Sequence, residues 1–215
     1  MQKIMFEHRR FGLEQAVIAR LKEMTRRRVR FPKGINDADV KSAVMGIDQK
    51  GRVYFTFSVA TDQSTEAVDV YPKYQIGEKV AVAQAYKNDE VLTYNAYNED
   101  GTKRTDGAKR HKEMLVSEGY RNKLFVRADL MPHVIEITDI KAERLQDISN
   151  EDCLREGLLA GEQEPKMYGF RLPKGTVLSF MTPREAFAAL IDRLNGRGTW
   201  ERNEWQFAYT FKLIK

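Results

Sequence analysis

The chain has 215 residues, of which 42% are hydrophobic and 31% charged, with a net charge of +5 at pH 7. This length can bury a core without metal or disulfide cross-links, and the composition is typical of a globular protein rather than a disordered one. The single cysteine, Cys153, excludes an intrachain disulfide and argues against a thiolate metal site.

Membrane and metal partners are not expected. No stretch approaches the roughly 20 apolar residues that span a bilayer, and residues 1–8 lack the apolar run of a secretory signal. We therefore expect a cytoplasmic protein. The three histidines, His8, His111 and His133, are far apart and lack the spacing of metal ligands, so neither a metal nor a cofactor is expected.

The positive charge is concentrated at the start of the chain. Residues 1–33 carry ten Lys and Arg against three Glu, a net charge of +7, so the rest of the chain sums to −2. Such a basic segment suggests a phosphate-bearing partner, because clustered Lys and Arg gain affinity by releasing counterions. A solvated, charged surface helix explains the same run equally well.

The first half of the chain predicts one helix and several strands. Apolar residues at helical spacing predict a short amphipathic helix over residues 12–24, which Pro32 and Gly34 follow. Strict alternation predicts a strand over residues 52–60. A further strand is expected over residues 79–86, with residues 91–97 extending the same sheet.

The second half begins with a polar segment, residues 98–122, which we interpret as a mobile insertion with a helix near residues 109–118. Strand character returns at residues 123–126, 133–145 and 206–214. Ser149 predicts the cap of a short helix. The clearest helix start has a Thr cap, Pro at the first position and Glu at the third: Thr182, Pro183 and Glu185.

This order of elements predicts a single domain over residues 1–215 of the α+β class. A small mixed β-barrel with peripheral helices fits the antiparallel-looking strands better than alternating βαβ units. Two tryptophans near the end, Trp200 and Trp205, are candidates for stacking on a base. Aromatic residues in this position more often belong to the core.

Three separated segments resemble stretches that occur together in one family. Residues 19–27, ARLKEMTRR, are similar to a G-x-K-T-x-T-R-R stretch, and residues 135–157, from IEITDI to REG, match a conserved-looking EITD…LQDIS…EG block. Residues 187–205 are similar to an ending of the form FxxLWDxINGxGSWxxNPW. Together they resemble phage-associated ASCH-domain proteins of the PUA-like superfamily. The resemblance implies a PUA-like β-barrel with a cleft for RNA or a modified nucleoside.

The resemblance also implies candidate site residues. Some superfamily members are metal-independent amidohydrolases that deacylate N4-acetylcytidine with a Lys and a Thr in K-x-x-T and a later Glu. The matching residues here are Lys22 as general base, Thr25 as nucleophile and Glu156 as proton relay. The candidate ligand-binding residues are the basic and aromatic side chains of the matched segments: Arg20, Arg26, Arg27, Arg28, Trp200 and Trp205.

Three functions follow as hypotheses. The first is a nucleic-acid-binding module with a basic cleft for RNA or a modified nucleoside. The second is an amidohydrolase acting on acylated nucleosides, and the third is a phage-derived accessory protein that binds a partner through residues 98–122. A structural salt bridge between Lys22 and Glu156 would explain these residues without chemistry. The chain departs from the family pattern at Arg20, where Gly is usual, and at Ala83 and Gln84.

Overall fold

Strands predominate in the fold, and they form three separate sheets. The computed structural model describes residues 1–61 and 64–215. Among those residues the strands are, in chain order, β1 (Gln2–Ile4), β2 (Met24–Arg28), β3 (Val40–Ile47), β4 (Val53–Ala60), β5 (Thr65–Val70), β6 (Lys79–Val82), β7 (Val134–Arg144), β8 (Leu159–Ala160), β9 (Tyr168–Arg171), β10 (Val177–Phe180) and β11 (Trp205–Leu213).

Helices connect these strands and pack against the sheets. In the described part of the chain they are α1 (Leu13–Ile18), α2 (Asp89–Ala96), α3 (Gly107–Val116), α4 (Asn150–Arg155), α5 (Pro183–Asn195) and α6 (Thr199–Arg202). Short 3-10 turns add Asp37–Asp39, Glu118–Tyr120, Lys123–Phe125, Ala128–Leu130 and Leu145–Asp147. The protein is therefore of the α+β class, as the sequence predicts.

The largest sheet has five strands in the order β1-β6-β7-β11-β2. Strand β1 is parallel to β6, and the other neighbours are antiparallel. No backbone ladder joins the two edge strands among the described residues, so the expected closed barrel is not found. The edges approach each other nevertheless, because Arg27 of β2 donates from Nη2 to the main-chain oxygen of Met5, beyond β1, at 2.7 Å.

A second sheet, β3-β4-β5, covers part of the same core. The predicted alternation in β4 is confirmed, with Val53, Phe55, Phe57 and Val59 all buried. The Phe57 ring lies edge-on to Trp205 of β11 at 5.3 Å between centroids. Each such apolar side chain contributes about 1.5–3 kcal/mol on burial, so this face joins the two sheets. The third sheet is β10-β9-β8.

Helix α5 forms where its capping signal predicts. The Thr182 hydroxyl accepts from the Glu185 N–H at 3.2 Å, and the Glu185 carboxylate accepts from the Thr182 N–H at 3.0 Å. This reciprocal pair satisfies two backbone donors that a helix start otherwise leaves unpaired. The helix buries Ala186, Phe187 and Leu190 against the core.

Three sequence predictions of local structure are wrong. The helix expected over residues 12–24 ends at Ile18, residues 19–23 form the connection, and Met24 begins strand β2. Residues 91–97 belong mainly to helix α2 rather than to a strand, because the Asn88 side chain accepts from the Glu90 N–H at 2.9 Å and caps a helix there. Residues 123–126 form a 3-10 turn where a strand was expected.

The segment at residues 98–122 contains helix α3, close to the helix predicted there. Its Met114 is 1% exposed and joins a second apolar cluster with Val91, Leu130 and Met131. This cluster packs around Ala81 and Ala83, next to the five-stranded sheet. Residues 98–122, which were expected to be a mobile insertion, therefore pack against the rest of the protein through α3. No helix in the described residues has both the length and the apolar character to cross a membrane.

Candidate functional site

Two local turns place Lys22 beside Glu156. After α1, the N–H groups of Leu21 and Lys22 both donate to the main-chain oxygen of Ala16, at 2.8 and 3.0 Å. Arg20, where the family pattern has Gly, lies at φ 59°, in the left-handed region that favours glycine. The turn shape is thus that of a glycine position even though the residue differs.

Glu156 lies directly after α4, at the end opposite the predicted cap. The Ser149 hydroxyl accepts from the Asp152 N–H at 3.0 Å and starts the helix, as the sequence predicts. Gly157 ends it at φ +97°, and a Cβ on Gly157 would lie 3.2 Å from the Lys22 Cβ. Glycine is therefore needed here both for the backbone conformation and for the close approach of Lys22.

The Glu156 carboxylate binds two buried cations. Lys22 Nζ donates to Glu156 Oε2 at 2.5 Å and to its main-chain oxygen at 2.7 Å. Arg26 Nη1 donates to the other carboxylate oxygen at 2.9 Å. The side chains of Lys22 and Arg26 are only 2% and 1% exposed. A carboxylate at this point is required, because two buried cations without a counterion are strongly unfavourable.

Two further carboxylates complete this buried network. Arg26 Nη2 contacts Glu143 Oε1 at 2.5 Å and Asp152 Oδ2 at 3.5 Å, and Lys141 Nζ contacts Asp152 Oδ2 at 2.7 Å. Neither Glu143 nor Asp152 is among the site residues that the sequence predicts. The available signal was the spacing of Lys141 and Glu143, because residues two apart on a strand share one face.

A pocket of about 220 Å³ lies against this network. Lys22, Thr25 and Glu156 all line it, together with apolar side chains of α5 such as Phe187 and Leu190. Thr25 is buried on β2, opposite Tyr209 of β11. The structure thus brings the three candidate catalytic residues to one cavity. The same cavity is lined by two exposed arginines, Arg10 and Arg27.

The contacts within the pocket differ from those of a base and its nucleophile. Within the described residues, the ammonium group of Lys22 donates to Glu156 and makes no hydrogen bond to the Thr25 hydroxyl. The hydroxyl of Thr25, a residue of the cavity lining, has no hydrogen-bond partner in that part of the chain. It is therefore available to a bound molecule.

The predicted arginines are distributed over different environments. Arg26 and Arg27 line the pocket, but Arg26 is buried and fully engaged with carboxylates, so its assignment to phosphate binding is corrected to a structural role. Arg20 is exposed and donates to the Leu213 main-chain oxygen at 3.0 Å, outside the pocket. Arg28 pairs with Glu204 at 2.9 Å and also lies outside it.

The two tryptophans belong to the core rather than to the pocket. Trp205 is 6% exposed and lies edge-on to Phe57. Trp200 is half-buried and lies edge-on to Phe187 at 6.2 Å, with Arg184 on its ring. Their assignment as ligand-stacking residues is corrected accordingly, because neither presents its ring to the cavity.

Other reactive groups are absent or protected in the described residues. No group of three or more His, Cys, Asp or Glu in that part of the chain is arranged to hold a metal ion. Cys153 is fully buried in α4, and burial raises the pKa of its thiol to about 12. A thiol in this state is neutral at physiological pH and therefore a poor nucleophile.

Comparison of the chain with protein-family models, curated proteins and solved structures finds no match. The chemistry of the pocket therefore has to be inferred from its own residues. Among these, Lys22 has a lowered pKa, whereas the carboxylates around Arg26 raise the pKa of that guanidinium group. Burial lowers the pKa of the Lys22 ammonium group below the usual 10.5, and although Glu156 opposes the shift, desolvation dominates.

This shift makes a prediction about pH. The unfolded chain keeps the Lys22 proton up to its usual pKa, whereas the folded chain releases it at lower pH, so stability rises with pH within that window, by up to about 1.4 kcal/mol per pH unit. We expect the free energy of unfolding of the wild type to gain on that of Lys22→Met as the pH rises toward 10.5, the ordinary pKa of the lysine ammonium group. Urea unfolding of both proteins at each pH measures this difference, and a constant difference would contradict it.

Proposed function

We propose that this chain is a nucleic-acid-binding module that takes one base or modified nucleoside into the pocket around Lys22, Thr25 and Glu156. In this proposal the scaffold is of the ASCH type within the PUA-like superfamily. Support for the scaffold comes from the three ordered segments that resemble that family. Further support comes from the five-stranded sheet, whose edges approach each other without pairing.

The observation that carries the proposal is the composition of the pocket. Its volume of about 220 Å³ lies below the roughly 300–1,000 Å³ of pockets for larger ligands, so it suits one small ring. Phe187 and Leu190 offer apolar contact, while the Thr25 hydroxyl can donate to or accept from the edge of a base. Exposed Arg10 and Arg27 supply charge for the attached phosphate.

The proposal is tested with two variants of the pocket. Thr25→Val keeps the shape and removes the hydroxyl, so the affinity for a single-stranded RNA oligonucleotide should fall about 3- to 10-fold, the effect of one hydrogen bond. Arg27→Gln should lower the slope of log affinity against log salt by about 0.7, because one phosphate contact is lost. Fluorescence anisotropy at several salt concentrations measures both.

Arg121→Gln is the matched control, since Arg121 is exposed and is not among the residues that line the pocket. It removes the same charge as Arg27→Gln and should leave the salt slope unchanged. Equal losses in Arg121→Gln and Arg27→Gln would show that binding follows net charge rather than the pocket. Absence of RNA binding by the wild type would refute the proposal.

Hydrolysis of acylated nucleosides is the second candidate. The lowered pKa of Lys22 supports it, because a neutral amine at this position is able to accept a proton. The pairing of Lys22 with Glu156 rather than with Thr25 argues for binding alone. Adding N4-acetylcytidine in the same experiments and following acetate release separates the two, and release that survives Thr25→Val would exclude Thr25 as the nucleophile.

A further inference from the structure

A second and larger cavity lies between the two free edges of the five-stranded sheet. We call it the edge groove. Its volume is about 970 Å³. Its walls come mainly from residues 3–5 on the β1 side, residues 27–31 on the β2 side and residues 70–74 at and after the end of β5, with further residues near Asp37 and on β11. The edge groove and the small pocket share two lining residues, Met5 and Arg27, so the two cavities adjoin.

The edge groove carries an excess of exposed positive charge. Arg28, Arg30 and Lys73 line it and are exposed. Arg28 shares its charge with Glu204 at 2.9 Å, whereas Arg30 makes no ion pair within the described residues. The carboxylate in the lining belongs to Asp37, and this group is already held by Arg144 at 2.5 Å. The groove therefore attracts a polyanion rather than a neutral or basic chain.

An exposed aromatic ring lies in the same groove. Tyr71 is 45% exposed, and its position is fixed by Arg52, 4.7 Å from the ring centroid, and by Tyr54 at 5.7 Å between centroids. Stacking of bases on aromatic side chains beside a basic track is the usual way in which proteins hold single-stranded nucleic acid. Tyr71 with Arg30 and Lys73 gives the edge groove both elements.

We infer that a single strand of nucleic acid lies along the edge groove and passes Arg27 to place one base in the small pocket. Its phosphates contact Arg28, Arg30 and Lys73, and one of its bases stacks on Tyr71. This inference rests on the proposed function and extends it from one nucleotide to several. The volumes of the two cavities agree with this assignment, because the edge groove, at about 970 Å³, is much larger than the pocket for one base, at about 220 Å³.

The test compares an oligonucleotide with a mononucleotide. The wild type should bind a single-stranded RNA of about eight nucleotides, the middle of the usual range, more tightly than cytidine 5′-monophosphate. The double variant Arg30→Gln/Lys73→Gln should lower the salt slope for the oligonucleotide by about 1.4, because two phosphate contacts are lost. Tyr71→Ala should weaken oligonucleotide binding about tenfold. Both variants should leave the affinity for the mononucleotide unchanged.

The matched control is Lys112→Gln/Arg121→Gln, which removes two exposed charges that line neither cavity. Equal affinity of the wild type for the two ligands would overturn the proposed role of the edge groove but not that of the pocket. If neither ligand bound, both proposals would be overturned. A DNA strand of the same length and poly-glutamate complete the series. Poly-glutamate binding as tightly as RNA, with the same sensitivity to Tyr71→Ala, would also overturn the inference.

Discussion

Replacing Glu156 by alanine is expected to lower the free energy of unfolding by about 3–5 kcal/mol, the usual cost of removing one partner from a buried ion pair. The variant leaves Lys22 with its main-chain contact alone and takes one carboxylate from Arg26, although both side chains remain almost fully buried. Urea denaturation followed by circular dichroism measures the loss.

The companion variant is Lys22→Met/Glu156→Leu, which replaces the pair by apolar side chains of similar size. Such exchanges are often neutral, so the double variant should be more stable than Glu156→Ala, with Arg26 still paired to Glu143. The four proteins of the cycle, including Lys22→Met and Glu156→Leu, give the coupling energy between the two residues. A loss below about 1 kcal/mol for Glu156→Ala would mean that water reaches this carboxylate and that the network is not buried in solution.

Replacing Trp205 by alanine is expected to cost about 3–5 kcal/mol of unfolding free energy, the range for removing a large aromatic ring from a core. The ring lies edge-on to Phe57 and under the Arg144 guanidinium, whose carbon is 5.0 Å from the ring centroid, and its Nε1 donates to the Val40 main-chain oxygen at 3.4 Å. The substitution removes the contacts to Phe57 and Val40 of the second sheet and the contact to Arg144 of β7 together.

Trp205→Phe is the matched control, because it keeps an aromatic ring and loses the Nε1 donor and part of the volume. We expect it to cost about 1–2 kcal/mol. Thermal and urea unfolding measure both variants, and RNA binding is measured below their transitions. If Trp205→Ala abolished RNA binding without loss of stability, the residue would belong to the ligand surface instead of the core.

The sequence predicted a helix or strand correctly where the contacts that form it join residues close together in the chain. The alternation that predicts β4 follows from burial of one face. The caps at Ser149 and Thr182 depend on residues three positions away. Helix α2 was missed although it has the same kind of signal, since Asn88 is followed by acidic residues. The apolar residues Val91 and Leu92 favoured the prediction of a strand there, in spite of the capping signal at Asn88.

Strand β2 was missed for a different reason. Its sequence, MTRRR, carries too much charge for a typical strand, and local propensity depends strongly on context. Its structure is determined by pairing with β11, where Thr25 lies opposite Tyr209 and Arg27 opposite Phe207. Pairing with a strand this distant in the chain cannot be recognised from the sequence of β2 itself. The same holds for Arg26, whose burial depends on Glu143 and Glu156.

The site residues, too, were predictable from the sequence only in part. The resemblance to ASCH-domain proteins named Lys22, Thr25 and Glu156, and these residues do line one cavity. The edge groove has no motif, because its walls come from several separate segments that meet only in the folded chain. Spacing along the sequence carries no information about such a surface.

The buried thiol of Cys153 has a practical consequence for this molecule. It lies in α4, three residues before Glu156, and is the single cysteine of the chain. A thiol reagent can modify it only when this helix separates from the core, so the rate of labelling reports how often the wall that holds Glu156 opens. The native chain thus contains its own probe of local opening, and a bound ligand that steadies this wall should slow the labelling.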